Sequence, residues 1–116
     1  MTAIALNQTG QQTLTVTGIP VALTLPTYTD KDPNYPNGIT RSQTPRHALI
    51  QVYDQPVRWG VGNNNVSGAF GQLVQPGGEL DWTDSRRDYY GIISQVKFVL
   101  DVSATGNATV EVSFFA

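Results

Sequence analysis

The chain has 116 residues, a net charge of −2 and only 14% charged residues, and its length suits a single domain. It has no basic run longer than two residues, whereas a nucleic-acid binder needs clustered positive charge to displace counterions from phosphates. The absence of cysteine excludes disulfides, thiolate nucleophiles and cysteine-based zinc sites. No apolar run approaches the roughly 20 residues that span a bilayer, and no secretion signal is visible. Direct contact with nucleic acid or membrane is therefore not expected.

Residues 12–25 alternate apolar and polar side chains with a period of two. In residues 12–18, Leu14 and Val16 face one way and three threonines face the other, which indicates a half-buried strand. Residues 19–25 continue the pattern, with apolar side chains on one side at Ile19, Val21, Leu23 and Leu25. The preceding residues, 1–11, are predicted to form an N-terminal arm.

Residues 26–45 contain four prolines and a single aliphatic residue, so they have no core pattern. Loops of this length are usually functional or disordered. We expect an extended arm or a long loop that packs on a neighbouring molecule. Within it, Tyr28 and Tyr35 are candidates for contacts, because nothing demands their burial within the subunit.

The stretch "DKDPNYPNG" inside this arm opens like a calcium loop, with Asp30, Asp32 and Asn34 at alternating positions. An EF-hand needs glycine at the sixth position, where this chain has Tyr35, and a terminal bidentate glutamate that is missing here. A solvated turn is the preferred interpretation, with a calcium site of another type as the alternative.

The second half contains six further apolar patterns with strand character, separated by Gly, Pro and Asn turns. They cover residues 46–54, 55–62, 70–74, 78–82, 92–101 and 107–115. In the last, Val110, Val112 and Phe114 are predicted to face inward. Residues 1–116 are therefore predicted to form one all-β domain, an antiparallel β-sandwich of about eight strands, for which jelly-roll connectivity is one solution.

Few residues suggest a catalytic or ligand-binding site. Glu79 and Asp81 lie two apart on a strand, roughly 7 Å from each other, which is compatible with a glycosidase pair. Their face looks solvated, whereas such a pair needs one desolvated carboxyl, so an exposed strand face is preferred. His47, the only histidine, is interpreted as a strand-end residue. Trp59 and Trp82 are in phase with aliphatic neighbours, which favours core packing over a sugar-binding platform.

The segments "ALIQVYDQPVRWGVGN", "GQLVQPGGELDWT", "ISQVKFVL" and "NATVEVSFF" resemble a recurring type of small β-sandwich virion protein of tailed bacteriophages. The resemblance covers roughly residues 46–115, and residues 12–25 support it more weakly. It implies a structural role in head decoration, in the neck or tail, or in a fibre. It implies no catalytic residue, so none is carried over, and no cofactor or metal is assigned.

The resulting expectation is a non-enzymatic capsid decoration (cement) protein that binds the major capsid protein in a virion assembled in the host cytoplasm. We expect a homo-oligomer, with a trimer as the first choice, that uses residues 1–11, 26–45 and 84–90 as contact segments. The named contacts are Tyr28, Tyr35, Arg41, Arg86, Arg87 and Tyr89. The alternatives are a carbohydrate-binding module, a tail, neck or fibre part, and a small hydrolase that uses Glu79 and Asp81.

Overall fold

A computed structural model describes residues 8–26, 28–31, 40–43, 45, 47–61, 66–83 and 92–115. The described strands are β1 (Gln8–Val16), β2 (Val21–Ala22), β3 (Tyr28–Lys31), β4 (Thr40–Gln43), β5 (His47–Val52), β6 (Val57–Val61), β7 (Gln72–Val74), β8 (Glu79–Thr83), β9 (Val96–Leu100) and β10 (Ala108–Phe115). One short helix, α1 (Ile92–Gln95), precedes β9. Within these residues, no helix has the length and hydropathy to cross a membrane.

Eight of these strands form two four-stranded antiparallel sheets. Sheet A has the strand order β1-β10-β5-β8, and sheet B has the order β2-β9-β6-β7. The two sheets share one hydrophobic core, to which strands of both contribute. The predicted all-β antiparallel sandwich of about eight strands is therefore confirmed.

The strand pairs are nested like one long hairpin. The first strand, β1, pairs with the last, β10, and β2 then pairs with β9, β5 with β8, and β6 with β7. Successive pairs fall alternately in sheet A and sheet B, so the hairpin is rolled up on itself. This is the connectivity of a jelly roll, which closes two packed antiparallel sheets around one core.

The period-two pattern of the sequence builds the core. In β10, every second residue is buried, and Val110, Val112 and Phe114 are at most 1% exposed. In β5, Ala48, Ile50 and Val52 repeat this arrangement. Because successive side chains of a strand point to opposite faces, these residues line the inner side of sheet A and their neighbours line its outer side.

Several strand predictions were too long, and the largest differences are in residues 19–25 and 92–101. In residues 19–25 only Val21–Ala22 forms a strand, and Ile19 is 76% exposed rather than inward-facing, because it lies in the turn between β1 and β2. Residues 92–95 were predicted to be the start of a strand, but they form α1. This turn of helix still buries Ile93 in the core, so an apolar run at this position did not distinguish strand from helix.

The predicted long loop, residues 26–45, contains a hairpin of its own. β3 and β4 pair antiparallel from Tyr28 opposite Gln43 to Lys31 opposite Thr40. They form a separate two-stranded sheet that joins neither sheet A nor sheet B. Their contacts with each other far outweigh their contacts with any other described element. A two-stranded hairpin is at best marginally stable by itself in water, so this ribbon needs a surface to pack on.

Candidate interaction surfaces

Four strand ends of sheet A meet at one end of the sandwich, which we call the hairpin end. β1 and β5 begin there, and β8 and β10 end there. The strand pairing fixes this arrangement, since His47 lies opposite both Phe115 and Thr83, and Gln8 also lies opposite Phe115.

The three predicted contact segments all attach to the hairpin end. The predicted N-terminal arm, residues 1–11, was too long, because residues 8–11 are the first part of β1 and only residues 1–7 precede it. Residues 26–45 lead to the start of β5, and residues 84–90 follow the end of β8. These segments lie far apart in the sequence, and the nested pairing brings their points of attachment together. One end of the sandwich therefore carries every segment for which contacts were predicted.

The named contact residues are only partly within the described structure. Tyr28 lies in β3, opposite Gln43, and Arg41 lies in β4, opposite Asp30, so the hairpin holds both of them. The other four lie outside the described residues and remain predictions: Tyr35, Arg86, Arg87 and Tyr89.

A small polar cluster surrounds His47 on the outer side of sheet A at this end. Its Nε2 lies 2.8 Å from Asp81 Oδ1, and its Nδ1 lies 2.7 Å from Thr83 Oγ1. The ring also meets Phe115 edge-on, with the centroids 5.4 Å apart. As predicted, His47 is a strand-end residue, and its contacts join β5 to the edge strand β8 and to β10.

Thr83, His47 and Asp81 supply a hydroxyl, an imidazole and a carboxylate, the groups of a catalytic triad. Their surroundings, however, differ from those of a triad. Asp81 is 66% exposed, so these groups are open to water, whereas acyl transfer depends on a shielded site with donors aimed at the oxyanion. Glu79 and Asp81 alternate with Leu80 and Trp82 along β8 and are both exposed. The geometry thus favours an outward-facing strand surface over an acid/base pair.

Trp59 and Trp82 both pack against the core, as the sequence pattern indicated. Their rings meet in a T-shaped contact with the centroids 5.0 Å apart, and Trp82 also stacks on Phe98 at 6.3 Å. Trp59 additionally lines an open groove of about 420 Å³ at the edge of sheet B. The other lining residues are Gly60, Val61, Val66, Phe70, Gly71 and Gln72.

The groove combines aromatic and amide groups. Phe70 is 72% exposed at its rim, and Gln72 lies opposite Trp59 across the β6–β7 pair. Aromatic side chains that line a concave site next to a polar side chain are suited to small ligands with apolar and polar faces. The sequence pattern placed Phe70 at the start of a strand over residues 70–74, but β7 begins at Gln72 and Phe70 forms an isolated bridge with Ser67 before it. Sequence reasoning therefore did not identify Phe70 as a residue of the groove.

A partly buried ion pair fixes the loops beside this groove. Arg58 Nε lies 2.6 Å from Asp101 Oδ1, and the same guanidinium donates hydrogen bonds to the carbonyl oxygens of Gly68 and Gly71. Hydrogen bonds from the hydroxyl and the backbone N–H of Ser103, together with the one from Arg58, lower the pKa of Asp101 to about 2. The pair therefore ties the β6–β7 connection to the β9–β10 turn.

Across the ranges that the structure describes, no three His, Asp or Glu residues come together as a metal ion would require. Of the three residues considered for calcium, Asp30 lies in β3, and Asp32 and Asn34 fall outside the described ranges. The calcium alternative is thus left as a prediction from the sequence.

Comparison with known proteins identified no relative of this chain. No family model, curated protein or solved structure matches the chain. The resemblance to phage virion proteins therefore depends on the residues of the chain itself. Function has to be argued from the jelly roll and its surfaces.

Proposed function

We propose that the chain is a structural protein of a bacteriophage particle, a decoration protein that binds the major capsid protein of the assembled head and stabilises it. It acts as a homo-oligomer and catalyses no reaction. The observation that carries the proposal is the convergence of the three contact segments on the hairpin end of the sandwich. One end of the molecule can then engage the head while the rest faces outward.

The β3–β4 hairpin is the main element of this proposed contact. It is a two-stranded ribbon outside both sheets, and such a ribbon gains stability when a third surface covers it. In a symmetric assembly, a ribbon outside both sheets can contact an adjacent subunit, and each copy makes the same contact. The hairpin therefore supports binding to a regular array of neighbours.

The fold and its outer surface are compatible with this role. Jelly rolls occur in viral capsid proteins and in lectins, although a fold by itself does not establish a function. The outer side of sheet A carries Thr13, Thr109, Glu111 and Ser113, with no covering layer described over it. A polar face of this kind suits a protein that works by fitting against other molecules.

The proposed mechanism is stabilisation by mass action. A protein that binds only the assembled shell shifts the balance between intact and disrupted shells toward the intact form. No chemical step is required, and the effect grows with the number of occupied sites.

A reconstitution experiment tests the proposal. The purified chain is added to heads that lack it, and bound copies are counted by quantitative mass spectrometry. We expect many copies per head, in proportion to the capsid protein, and loss of binding when residues 32–39 are replaced by an Asn-Gly turn. Ile19→Ser, in the turn at the other end of the sandwich, is the matched control and should bind normally. One or a few copies per particle, or normal binding without residues 32–39, would contradict head decoration through this end.

The groove at Trp59 supports a second candidate function, binding of carbohydrate, free or as part of a tail fibre. Trp59 and Phe70 provide aromatic surface for the apolar face of a sugar, and Gln72 provides donor and acceptor groups for its hydroxyls. The volume of about 420 Å³ lies within the range of small-molecule sites, roughly 300–1,000 Å³.

Glycan-array binding tests this second candidate. If the groove holds sugar, Phe70→Ala should abolish the signal with the fold intact, because Phe70 is largely exposed. Leu73→Ala is the control, since Leu73 is also exposed but does not line the groove. No bound glycan, or equal binding by both variants, would end the carbohydrate hypothesis.

A further inference from the structure

The charges of the two sheets are segregated. The strands of sheet A contain three carboxylates, Glu79, Asp81 and Glu111, and no lysine or arginine. The strands of sheet B contain no acidic residue, and their two cations are Arg58 and Lys97. The local field therefore attracts an anionic ligand to sheet B and repels it from sheet A.

Both cations lie on the outer side of sheet B. Val57 and Phe98 belong to the core, so their neighbours Arg58 and Lys97 point away from it, because successive side chains of a strand alternate between the two faces. The guanidinium of Arg58 is paired with Asp101 at 2.6 Å. Lys97 is exposed, and no hydrogen bond or ion pair joins its side chain to another residue of the described ranges. Of the two cations, Lys97 is therefore the one that can contact a ligand.

Lys97 lies beside the groove at Trp59. In the strand register it is opposite Gly60 of β6 and Ala22 of β2, and directly opposed residues share one face of a sheet. The Cα atoms of such a pair are roughly 4.5–5.5 Å apart, which an extended lysine side chain can span. Gly60 lines the groove and has no side chain, so nothing at that position separates the Lys97 side chain from the groove.

The loop between β6 and β7 borders the groove on the side away from Lys97. The carbonyl oxygen of Gly68 accepts hydrogen bonds from Arg58 Nε and from the backbone N–H of Val102, so the loop is held against the outer side of sheet B. Val66 and Phe70 of this loop line the groove. The strand order β9-β6-β7 places Lys97 on the opposite side of β6. The groove thus lies between an apolar, partly aromatic loop and an ammonium group.

We propose that this groove binds saccharides that carry an anionic group, either a carboxylate or a sulfate, with the anion on Lys97 Nζ. The inference rests on the carbohydrate binding that is the second candidate function, and it adds the charge of the sugar and a binding residue outside the lining of the groove. The ring of the sugar packs against Phe70, and the amide of Gln72 is left for its hydroxyls. Hydrogen bonds between ionised groups are roughly twice as strong as neutral ones, so the anion provides much of the affinity.

A glycan array that contains neutral glycans with their carboxylated and sulfated counterparts tests the proposal. We expect the full chain to bind acidic glycans about tenfold or more tightly than the neutral counterparts, and the two acidic sets show which anion the site prefers. Lys97→Gln should remove this preference, whereas Lys97→Arg keeps the positive charge and should retain most of it. Lys31→Gln is the matched control, since it removes the same charge from β3, and it should bind like the original chain.

Labelling of the lysines provides a second readout that needs no variant. The chain has two lysines, Lys31 and Lys97, so reductive methylation with a ¹³C label gives two side-chain signals in an NMR spectrum and keeps both charges. Titration with the acidic glycan that binds most tightly should shift the signal of Lys97 and leave that of Lys31 in place.

The outcomes separate this inference from the function on which it rests. Binding of no glycan would end the carbohydrate hypothesis and this inference with it. Equal binding of neutral and acidic glycans, a preference for acidic glycans that is unchanged in Lys97→Gln, or an unshifted Lys97 signal would overturn the role of Lys97 and leave carbohydrate binding in place.

Discussion

At the scale of single residues, backbone conformation makes Gly71 the most restricted position in the described chain. Its φ is +125°, and a Cβ there would lie 2.9 Å from the carbonyl oxygen of Trp59 and 2.8 Å from a methyl group of Val66. Both the conformation and the space therefore require glycine. Gly77 has a positive φ of +87° but open space around it, and Gly18 has neither restriction.

These three glycines give a graded prediction. Gly71→Ala should lower the free energy of unfolding by about 2–3 kcal/mol, because strain and overlap add. Gly77→Ala should cost about 1–2 kcal/mol for the left-handed conformation alone. Gly18→Ala should be close to neutral, within about 1 kcal/mol. Urea unfolding of the three variants measures this order, and equal losses at Gly71 and Gly18 would contradict the conformational argument.

The Arg58–Asp101 pair gives a second prediction at this scale. Asp101→Asn should lower the midpoint of thermal unfolding at pH 7 by several degrees, since it removes the charge opposite a partly buried guanidinium. Gln55→Ala is a suitable control, because Gln55 makes exposed hydrogen bonds to Thr105 in the same turn region. An equal loss in both variants would show that the ion pair has no special role.

The pKa of Asp101 adds a pH dependence to this prediction. The group has a pKa of about 2 in the folded chain and an ordinary value of 3.8, so the folded state binds its proton less readily than the unfolded state. The contribution of the Asp101 carboxylate to the free energy of unfolding is therefore complete above about pH 4 and is lost as the pH falls toward 2. Between about pH 4 and pH 2, the free energy of unfolding should fall less steeply for Asp101→Asn than for the original chain. Acid unfolding followed by circular dichroism measures this difference.

At the scale of strands and turns, apolar alternation predicted the sheets that bury one face. The inner rows of β5 and β10 were identified because each lines the core with every second residue. The β3–β4 hairpin was missed because its pairing is satisfied between its own two strands and needs no apolar face. α1 was missed because four residues are too few to reveal a helical period.

The sites were harder to predict for a related reason. Arg58 and Asp101 are 43 positions apart, and only the β6–β9 pairing brings them together. The same holds for His47 and Asp81, which meet across β5 and β8. Side-chain partners in a nested fold depend on long-range pairing, which composition and local spacing do not encode.

The inner row of β10 gives a prediction at this scale. Phe114→Ala should lower the free energy of unfolding by about 3–5 kcal/mol, because it leaves a cavity between the sheets. Ser113→Ala, on the opposite face of the same strand, should change it by no more than about 0.5 kcal/mol. Chemical denaturation of both variants checks the alternation, and similar losses would contradict the assigned inner and outer faces.

At the scale of the whole molecule, the proposed decoration has a thermodynamic signature. Binding only to assembled heads should stabilise them by about 2.7 kcal/mol per site at a hundredfold excess over the dissociation constant. Their disruption temperature should therefore rise with the logarithm of the free protein concentration. Calorimetry of undecorated heads with increasing protein measures this shift. The chain whose residues 32–39 are replaced serves as the control and should give none, and an unchanged disruption temperature at saturating protein would argue against stabilisation.

The nested pairing also determines when the molecule can fold. β10 lies between β1 and β5 in sheet A, so the central strand of that sheet is the last of the ten to leave the ribosome. Until residues 108–115 emerge, the apolar row of β1 has no strand beside it, and almost a hundred residues separate the two partners. Proteins dominated by such distant pairings fold in about milliseconds to seconds rather than microseconds. The core of the sandwich therefore stays incomplete until β10 has been synthesised.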